Sequence, residues 1–193
     1  MANDMQSYIG QHTALANRVS GELLPKIEGV GNLLCQTFER GNKLLTFGNG
    51  GSAADAMHLA EELMGKFLRD RRPLPATALC ADGTAMTCIV NDFGYAEVFS
   101  RQVQALARPG DVVMGFSTSG NSENVLRGLR AGRDKSAITV ALLGRDGGKA
   151  ASLADHAIIV PGNAASLIQE MHILIVHMLC EIVDKWAAGK QNG

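Results

Sequence analysis

A histidine and a glutamate that stand four residues apart offer the first chemistry in the sequence. His58 and Glu62 share one face of any helix that runs through them, because residues i and i+4 are neighbours on a helix surface. An imidazole beside a carboxylate can act as a general base or form half of a metal site, and it can equally be a plain surface pair. Glu61 points about 100° away on the same helix and is expected at the surface.

A second set of polar side chains interrupts an apolar stretch near the C-terminus. Gln169 and His177 share one helix face through Ile173. His172 lies about 140° round from His177 and faces elsewhere. A polar group among apolar neighbours needs a partner, so His177 is either a hydrogen-bonded core residue or a member of a functional site.

A glycine-rich segment, 48–54, follows the first predicted strand. Its glycines let the backbone approach a ligand closely, and Ser52 is expected to cap a helix whose free N–H groups attract an anion. The spacing also fits the loose dinucleotide fingerprint G-x-G-x-x-A, which keeps a nicotinamide-dependent dehydrogenase open as an alternative. No clear acidic residue ends a strand about 20 residues later to hold a ribose, which disfavours that alternative.

A second loop, 117–122, carries four hydroxyl side chains and an asparagine around a glycine. A simple helix cap needs one hydroxyl, so four of them indicate a neutral cradle for a phosphate monoester. The segment 144–150 fails as a P-loop, because its glycines are one residue too close and Ala150 stands where a metal-binding hydroxyl is required. We interpret it as a turn, which disfavours nucleotide phosphoryl transfer.

Short apolar runs and helical patterns alternate along the chain and must position these groups. Continuously apolar runs are typical of strands that are covered on both faces of a parallel sheet. We predict strands at 43–47, 75–80, 111–116, 137–143 and 156–160. We predict helices at 52–68, 84–91, 96–107, 122–134, 149–154 and 165–188. Two further helices, broken near Pro25, precede the first strand.

This pattern predicts a doubly wound α/β fold in one domain, 1–193. Residues 1–40 would form a helical extension and 41–193 the α/β core. In such sheets ligands bind outside the carboxyl ends of the strands, where both polar loops fall.

Composition excludes several classes of protein. A length of 193 residues suits one domain with a proper core. With 18 Lys+Arg against 19 Asp+Glu and a net charge of −1, we expect no nucleic-acid or membrane-surface partner, so any phosphate is bound locally. Four cysteines without a CxxC pair indicate a reduced chain. The N-terminus lacks a signal-peptide pattern and the apolar stretch 171–183 is too short to span a bilayer, so we expect a cytoplasmic protein.

Taken together, the order and spacing of these segments resemble the sugar-isomerase (SIS) family over nearly the whole chain. The resemblance rests on Gly48–Ser52, Met57–Glu62, Asn91–Gly94, Ser117–Ser122, Asp146–Gly148 and Ile168–His172 followed by His177. It implies a flavodoxin-like five-stranded parallel sheet and a homotetramer with sites between subunits. It further implies conversion of sedoheptulose 7-phosphate to D-glycero-D-manno-heptose 7-phosphate, the first step of ADP-heptose synthesis for lipopolysaccharide.

The resemblance also implies roles for the candidate residues. The substrate would be held by Asn49, Gly50, Gly51, Ser52, Glu62, Asn91, Asp92, Ser117, Thr118, Ser119, Ser122 and Gln169, with the hydroxyl loop taking the phosphate. Glu62 and His177 would form the acid–base pair. One zinc ion per subunit would be held by His58, Glu62, Gln169 and His177. From the residues alone, Asn91 and Asp92 indicate only a helix end and a turn.

The chemistry is consistent with these roles. Interconverting a ketose and an aldose through an enediol moves a proton between adjacent carbons, which needs a base and a group that neutralises charge on oxygen. Glu62 would be the carbon base and His177 the proton donor to oxygen, with zinc as a Lewis acid. A related branch of the family is a non-catalytic regulator that binds the replication initiator protein and lacks the catalytic pair. Here both members of that pair are present, which favours the enzyme.

Overall fold

The chain folds as a parallel β-sheet with helices on both faces. The computed structural model describes residues 2–190. Within that range the strands are β1 (Leu44–Gly48), β2 (Ala76–Ala78), β3 (Val112–Ser117), β4 (Ile138–Gly144) and β5 (His156–Val160). The α-helices are α1 (Ala2–Glu22), α2 (Leu24–Glu39), α3 (Gly51–Met64), α4 (Gly83–Phe93), α5 (Ser100–Leu106), α6 (Glu123–Asp134) and α7 (Ala165–Gly189).

The strand order is β2-β1-β3-β4-β5 and every neighbouring pair is parallel. This confirms the predicted α/β class, the five strands and the N-terminal helices. After β1 the chain moves to one side for β2 and returns to the other side for β3. The order therefore reverses between β1 and β3, whose carboxyl ends are level, since Gly48 pairs with Phe116. Ligand sites in such sheets lie at this crevice.

The core is divided by the sheet into two apolar layers. Because side chains alternate across a strand, Met114 of β3 packs with one layer and Val113 with the other. The first layer receives buried residues of α1, α2, α3 and α7. The second receives those of α5 and α6. Helices α3 and α7 therefore lie on the same face of the sheet and pack together.

Several predicted boundaries differ from the structure. The helix predicted at 96–107 is a 3-10 turn, Tyr95–Glu97, followed by α5, and the one at 149–154 is a 3-10 turn, Gly148–Ser152. The helix predicted to reach residue 68 ends at Met64, because Arg71 takes up its last backbone carbonyls. Ser52 does not cap α3: the helix begins at Gly51, and Gly50 is its N-cap with φ +55°.

The last helix, α7, matches the helix predicted at 165–188 to within one residue, but it extends well beyond the apolar stretch 171–183, which by itself is too short for a bilayer. By length and composition α7 could cross a membrane, but half of its most apolar window is buried inside the molecule. His172 and Asp184 are also buried along it. Such burial is that of a core helix. The four cysteines are all free, and burial raises the pKa of Cys35 to about 11 and that of Cys180 to about 12, which leaves both as unreactive thiols.

Candidate functional site

Three side chains with ligand atoms meet between α3 and α7. Nε2 of His58 lies 3.2 Å from Oε1 of Glu62 and 3.3 Å from Nε2 of His177. The three ligand atoms all lie within 4.8 Å of one another. The structure thus places His177 in a polar cluster rather than in the apolar core. Glu61, next to Glu62 in the chain, is exposed as its angle on the helix predicted.

The cluster has the donor atoms of a cation site. Neighbouring ligand atoms of a tetrahedral zinc ion with bonds of about 2.0–2.1 Å are about 3.3–3.4 Å apart. The two shortest distances in the cluster, 3.2 and 3.3 Å, match this spacing. Two imidazole nitrogens and one carboxylate oxygen are also a ligand set that zinc accepts while keeping a position open. The residues present are therefore of types that could hold a metal ion, and two of their three separations match tetrahedral spacing, while the third lies within 4.8 Å.

Gln169 lies on the same face of α7, two turns before His177. Its amide packs against Gly51: a Cβ built on Gly51 would lie 2.5 Å from Nε2 of Gln169. Only glycine leaves room for the amide at this point. Since Gln169 meets the start of α3 and His177 meets its middle, the two helices run side by side in the same direction.

His172 has a different environment, although it belongs to the same helix. It is fully buried, and Nε2 donates a hydrogen bond to the backbone carbonyl of Leu143, at 3.0 Å. Burial lowers its pKa to about 4, so the ring is neutral at pH 7. Nδ1 has no hydrogen-bond partner within residues 2–190. His172 is a core residue.

Asn49 ties the glycine-rich loop to two other segments. Its amide exchanges hydrogen bonds of 2.9 and 2.8 Å with Asn124, at the start of α6. Its carbonyl oxygen also accepts a 2.7 Å hydrogen bond from the hydroxyl of Tyr95. Asn124 and Tyr95 were not predicted from the sequence. Asn124 lies inside a helical pattern, and the only signal for Tyr95 was its position just after Asn91-Asp92.

The hydroxyl loop, 117–122, is held by its own side chains. Oγ of Ser117 accepts from the backbone N–H of Gly120 at 3.0 Å and lies 3.5 Å from Oγ of Ser122. Oγ of Ser119 accepts from the N–H of Asn121 at 3.2 Å. Ser119 accepts internally and keeps its O–H donor for a ligand, whereas one hydroxyl of the Ser117–Ser122 pair donates to the other. Thr118 is half-buried beside them.

The turn that failed as a P-loop supports this hydroxyl loop. Gly147 donates to the carbonyl of Gly144, which closes the predicted turn. Ala150 donates to the carbonyl of Gly120 at 2.9 Å. A Cβ on Gly120, whose φ is +65°, would lie 2.0 Å from the Gly147 carbonyl oxygen. The sequence predicted the turn but not its contact with the hydroxyl loop.

Asn91 and Asp92 occupy the last turn of α4 and are exposed. The amide of Asn91 donates to Asp92 at 2.7 Å, and the helix ends at Phe93, followed by the C-cap Gly94 with φ +86°. Both residues lie close along the chain to Tyr95, which contacts Asn49. The link of Asn91 and Asp92 to the glycine-rich loop is through their position beside Tyr95 in the chain.

Asp55 is a buried acid that the sequence pattern did not single out. It lies on α3, three residues before His58, and one carboxylate oxygen has no hydrogen-bond partner in the described part of the chain. Burial raises its pKa to about 6, against the opposing effect of His58. Its spacing from His58 and Glu62, at i, i+3 and i+7, was a signal that could have found it.

Comparisons with known proteins identify the same family as the sequence motifs. The SIS domain family matches residues 7–144. A phosphoheptose isomerase from Geotalea daltonii is 47% identical over 192 residues and covers 100% of both chains. One from Aquifex aeolicus is 51% identical over 160 residues, covering 83% of this chain and 84% of its own.

Solved structures agree with the sequence relatives. A phosphoheptose isomerase from Neisseria gonorrhoeae superposes with a TM-score of 0.91 at 38% identity, and one from Francisella tularensis with 0.93 at 33% identity. Each alignment covers 95% of this chain and 98% of the other. The resemblance seen in the sequence is confirmed. The chain therefore belongs to the phosphoheptose isomerases, a family of isomerase enzymes built on the SIS domain.

Proposed function

We propose that the protein converts sedoheptulose 7-phosphate to D-glycero-D-manno-heptose 7-phosphate. The observation that carries the proposal is the meeting of Glu62 and His177, with His58, within 4.8 Å of one another. An acid–base pair at that separation can reach two neighbouring atoms of one substrate. Relatives of the chain that are named phosphoheptose isomerase support the same substrate.

The proposed reaction transfers protons at two carbons and two oxygens. Glu62 removes a proton from C1 of the ketose, while His177 donates a proton to the carbonyl oxygen on C2, which gives an enediol. Glu62 then returns its proton to C2, and His177 takes the proton from the oxygen on C1. The double bond shifts and an aldehyde forms at C1. Both side chains end in their starting protonation states.

We propose that His58, Glu62, Gln169 and His177 hold a zinc ion. The cluster distances and its donor atoms support this assignment, and Gln169 would approach from the preceding turns of α7. Bound zinc would supply a Lewis acid that polarises the carbonyl. Glu62 and His177 are each in both the ligand set and the acid–base pair, so each side chain would exchange one role for the other during turnover.

The substrate phosphate is proposed to bind the hydroxyl loop. Its O–H donors and the N-terminus of α6 favour an anion without any basic side chain. The remaining substrate contacts are assigned to Asn49, Gly50, Gly51, Ser52, Asn91, Asp92 and Gln169. Of these, Asn49 already has hydrogen bonds to Asn124 and Tyr95, which would hold its amide ready for the sugar.

The wider role is also a proposal. Family membership supports a cytoplasmic homotetramer that performs the first step of ADP-heptose synthesis for lipopolysaccharide, without a nucleic-acid or membrane partner. None of the residues of α4, all of which the structure describes, is buried in the single chain. Val90 and Phe93 on this helix are exposed apolar side chains, as expected where another subunit packs.

The test is turnover of sedoheptulose 7-phosphate by the purified protein, with and without a chelator. Glu62→Gln should lower kcat by about 10³-fold, because a neutral amide cannot take the proton from carbon. Glu61→Gln, one residue away and exposed, is the matched control and should keep the wild-type rate. A chelator should lower the rate, and added zinc should restore it.

An active Glu62→Gln variant would contradict the assigned base. A wild type that binds the replication initiator protein in a pull-down, yet shows no turnover, would support the regulatory alternative instead.

A further inference from the structure

The segment between α3 and β2, residues 65–75, is anchored by one buried arginine. The side chain of Arg71 is 1% exposed, and its Nε lies 3.0 Å from Oδ1 of Asp184, which is fully buried on α7. An ion pair removed from water is retained only when its remaining hydrogen-bonding groups also have partners. The remaining hydrogen-bonding groups of Arg71 and Asp184 all have partners, and these partners lie next to the three-residue cluster.

The guanidinium of Arg71 binds the end of α3. It donates to the backbone carbonyls of Glu62 at 2.7 Å, Leu63 at 2.9 Å and Gly65 at 2.9 Å. These carbonyls belong to the last turn of the helix and to its C-cap, Gly65, where intrahelical donors run out. Arg71 therefore fixes the peptide group of Glu62 itself, whose side chain belongs to the cluster.

The carboxylate of Asp184 holds the same segment from the other side. Its second oxygen accepts from the backbone N–H of Leu68 at 3.2 Å and of Arg69 at 2.8 Å. Asp184 follows His177 by seven residues, which is two turns of α7, and so lies on the same face. The ion pair thus joins the two helices that supply the cluster.

The segment also touches His177 directly. The ring of Phe67 stacks on the imidazole of His177, with centroids 5.6 Å apart and an interplanar angle of 26°. His177 is therefore placed by its own helix and by the ring that the anchored segment presents to it.

We propose that Arg71 and Asp184 are positioning residues that set the separation of Glu62 and His177. The inference rests on the proposed function, because that separation matters for proton transfer and for metal binding. A fully satisfied buried ion pair is rigid, and a misplacement of about 1 Å at a reacting centre costs on the order of 10²-fold in rate. Neither residue reaches the reacting atoms.

The test compares Asp184→Asn and Arg71→Lys with the wild type. Each removes part of the link, the first its charge and the second most of its hydrogen bonds. We measure the zinc dissociation constant by chelator competition, kcat and KM for sedoheptulose 7-phosphate, and Tm of the metal-free protein. We expect zinc affinity and kcat each to fall by about 10- to 100-fold, and KM to change far less.

A matched buried pair elsewhere supplies the control. Asp111 is 2% exposed and accepts from Lys43 Nζ at 2.5 Å and from the backbone N–H groups of Lys43 and Arg108. It lies at the amino ends of β1 and β3, the edge of the sheet opposite the polar loops. Asp111→Asn should lower Tm like Asp184→Asn but leave zinc affinity and kcat unchanged.

Phe67→Leu tests the same segment without touching either ion pair. It should weaken zinc binding and lower kcat while leaving Tm near the wild type. If the ion-pair variants do not fold, Phe67→Leu still tests whether the anchored segment positions His177. Wild-type zinc affinity and kcat in the folded variants would overturn the positioning role and leave the proposed function standing. A wild type without turnover would overturn the proposed function, and the zinc affinities would then decide the positioning role alone.

Discussion

His172 and His177 lie five residues apart on α7, yet one belongs to the core and the other to the cluster. His172 is fully buried, neutral and bonded to the carbonyl of Leu143. His177 is partly exposed and faces His58, Glu62 and Phe67. Both have apolar neighbours in sequence, so the residue type does not separate them. What separates them is the surface that each side of α7 meets: β4 of the sheet for one, and α3 for the other.

Exchanging each histidine for glutamine should give the largest difference between the two positions. His177→Gln should lower kcat by at least about 10³-fold with little change in the free energy of unfolding, because a neutral amide cannot donate and recover a proton. His172→Gln should keep the kcat of the folded enzyme and lose about 1–3 kcal/mol of stability, as expected for a disturbed buried hydrogen bond. Steady-state kinetics and urea unfolding measure the two effects. If His172→Gln lost activity and His177→Gln lost stability, or if both variants lost activity, the assignment of one histidine to the core and the other to the site would be wrong.

Acid stability tests the core histidine alone. The pKa of His172 is about 4 in the folded protein, below the ordinary 6.5, so the unfolded chain binds a proton more readily. Stability from this residue is complete above pH 6.5 and is lost as the pH falls towards 4, by about 3 kcal/mol. His172→Gln should lose less stability than the wild type over that range in urea unfolding. Equal losses in the two proteins would show that the ring is already accessible to protons.

Asp55 extends the comparison to the other helix of the site. It resembles His172 in being buried with an unpartnered polar atom, but it lies on the α3 face that carries His58 and Glu62. Its folded pKa of about 6 exceeds the ordinary 3.8, so its contribution to stability is present below pH 4 and lost as the pH rises to 6.

The Asp55→Asn variant should therefore be more stable than the wild type at pH 7, by about 2 to 3 kcal/mol, and equally stable near pH 3. Unfolding at the two pH values measures the difference. A destabilised variant at pH 7 would instead mean that the ionised carboxylate has a favourable partner, as it would beside a bound cation.

The sequence predicted the strands well because a covered parallel sheet requires continuous apolar runs. The five predicted strands differ from the observed ones by at most two residues at either end. The end of α3 was wrong for a tertiary reason. Apolar residues continue at helical spacing to Leu68, and the helix stops at Met64 because Arg71, on the following segment, binds its last carbonyls.

From the sequence, only the relative positions of site residues on the same helix could be predicted. The angles on α3 and α7 placed His58 with Glu62 and separated His172 from His177. The partners that complete the site come from far along the chain: Tyr95 is 46 residues from Asn49, Asn124 is 75 residues from Asn49, and Asp184 is 113 residues from Arg71. Sequence periodicity carries no information on contacts at such separations.

The smallest expected effect comes from moving Gln169 on α7 without replacing any proposed metal ligand. In Gly51→Ala the new Cβ would lie 2.5 Å from Nε2 of Gln169, so this amide must shift. We expect zinc affinity to fall by roughly tenfold, the scale seen when a ligand's orientation is disturbed. Gly29→Ala on α2 is the control, because a Cβ there has nothing within 4 Å. If chelator competition gives the same zinc affinity for both variants, Gln169 lies outside the metal site, and the functional face of α7 is defined by His177 alone.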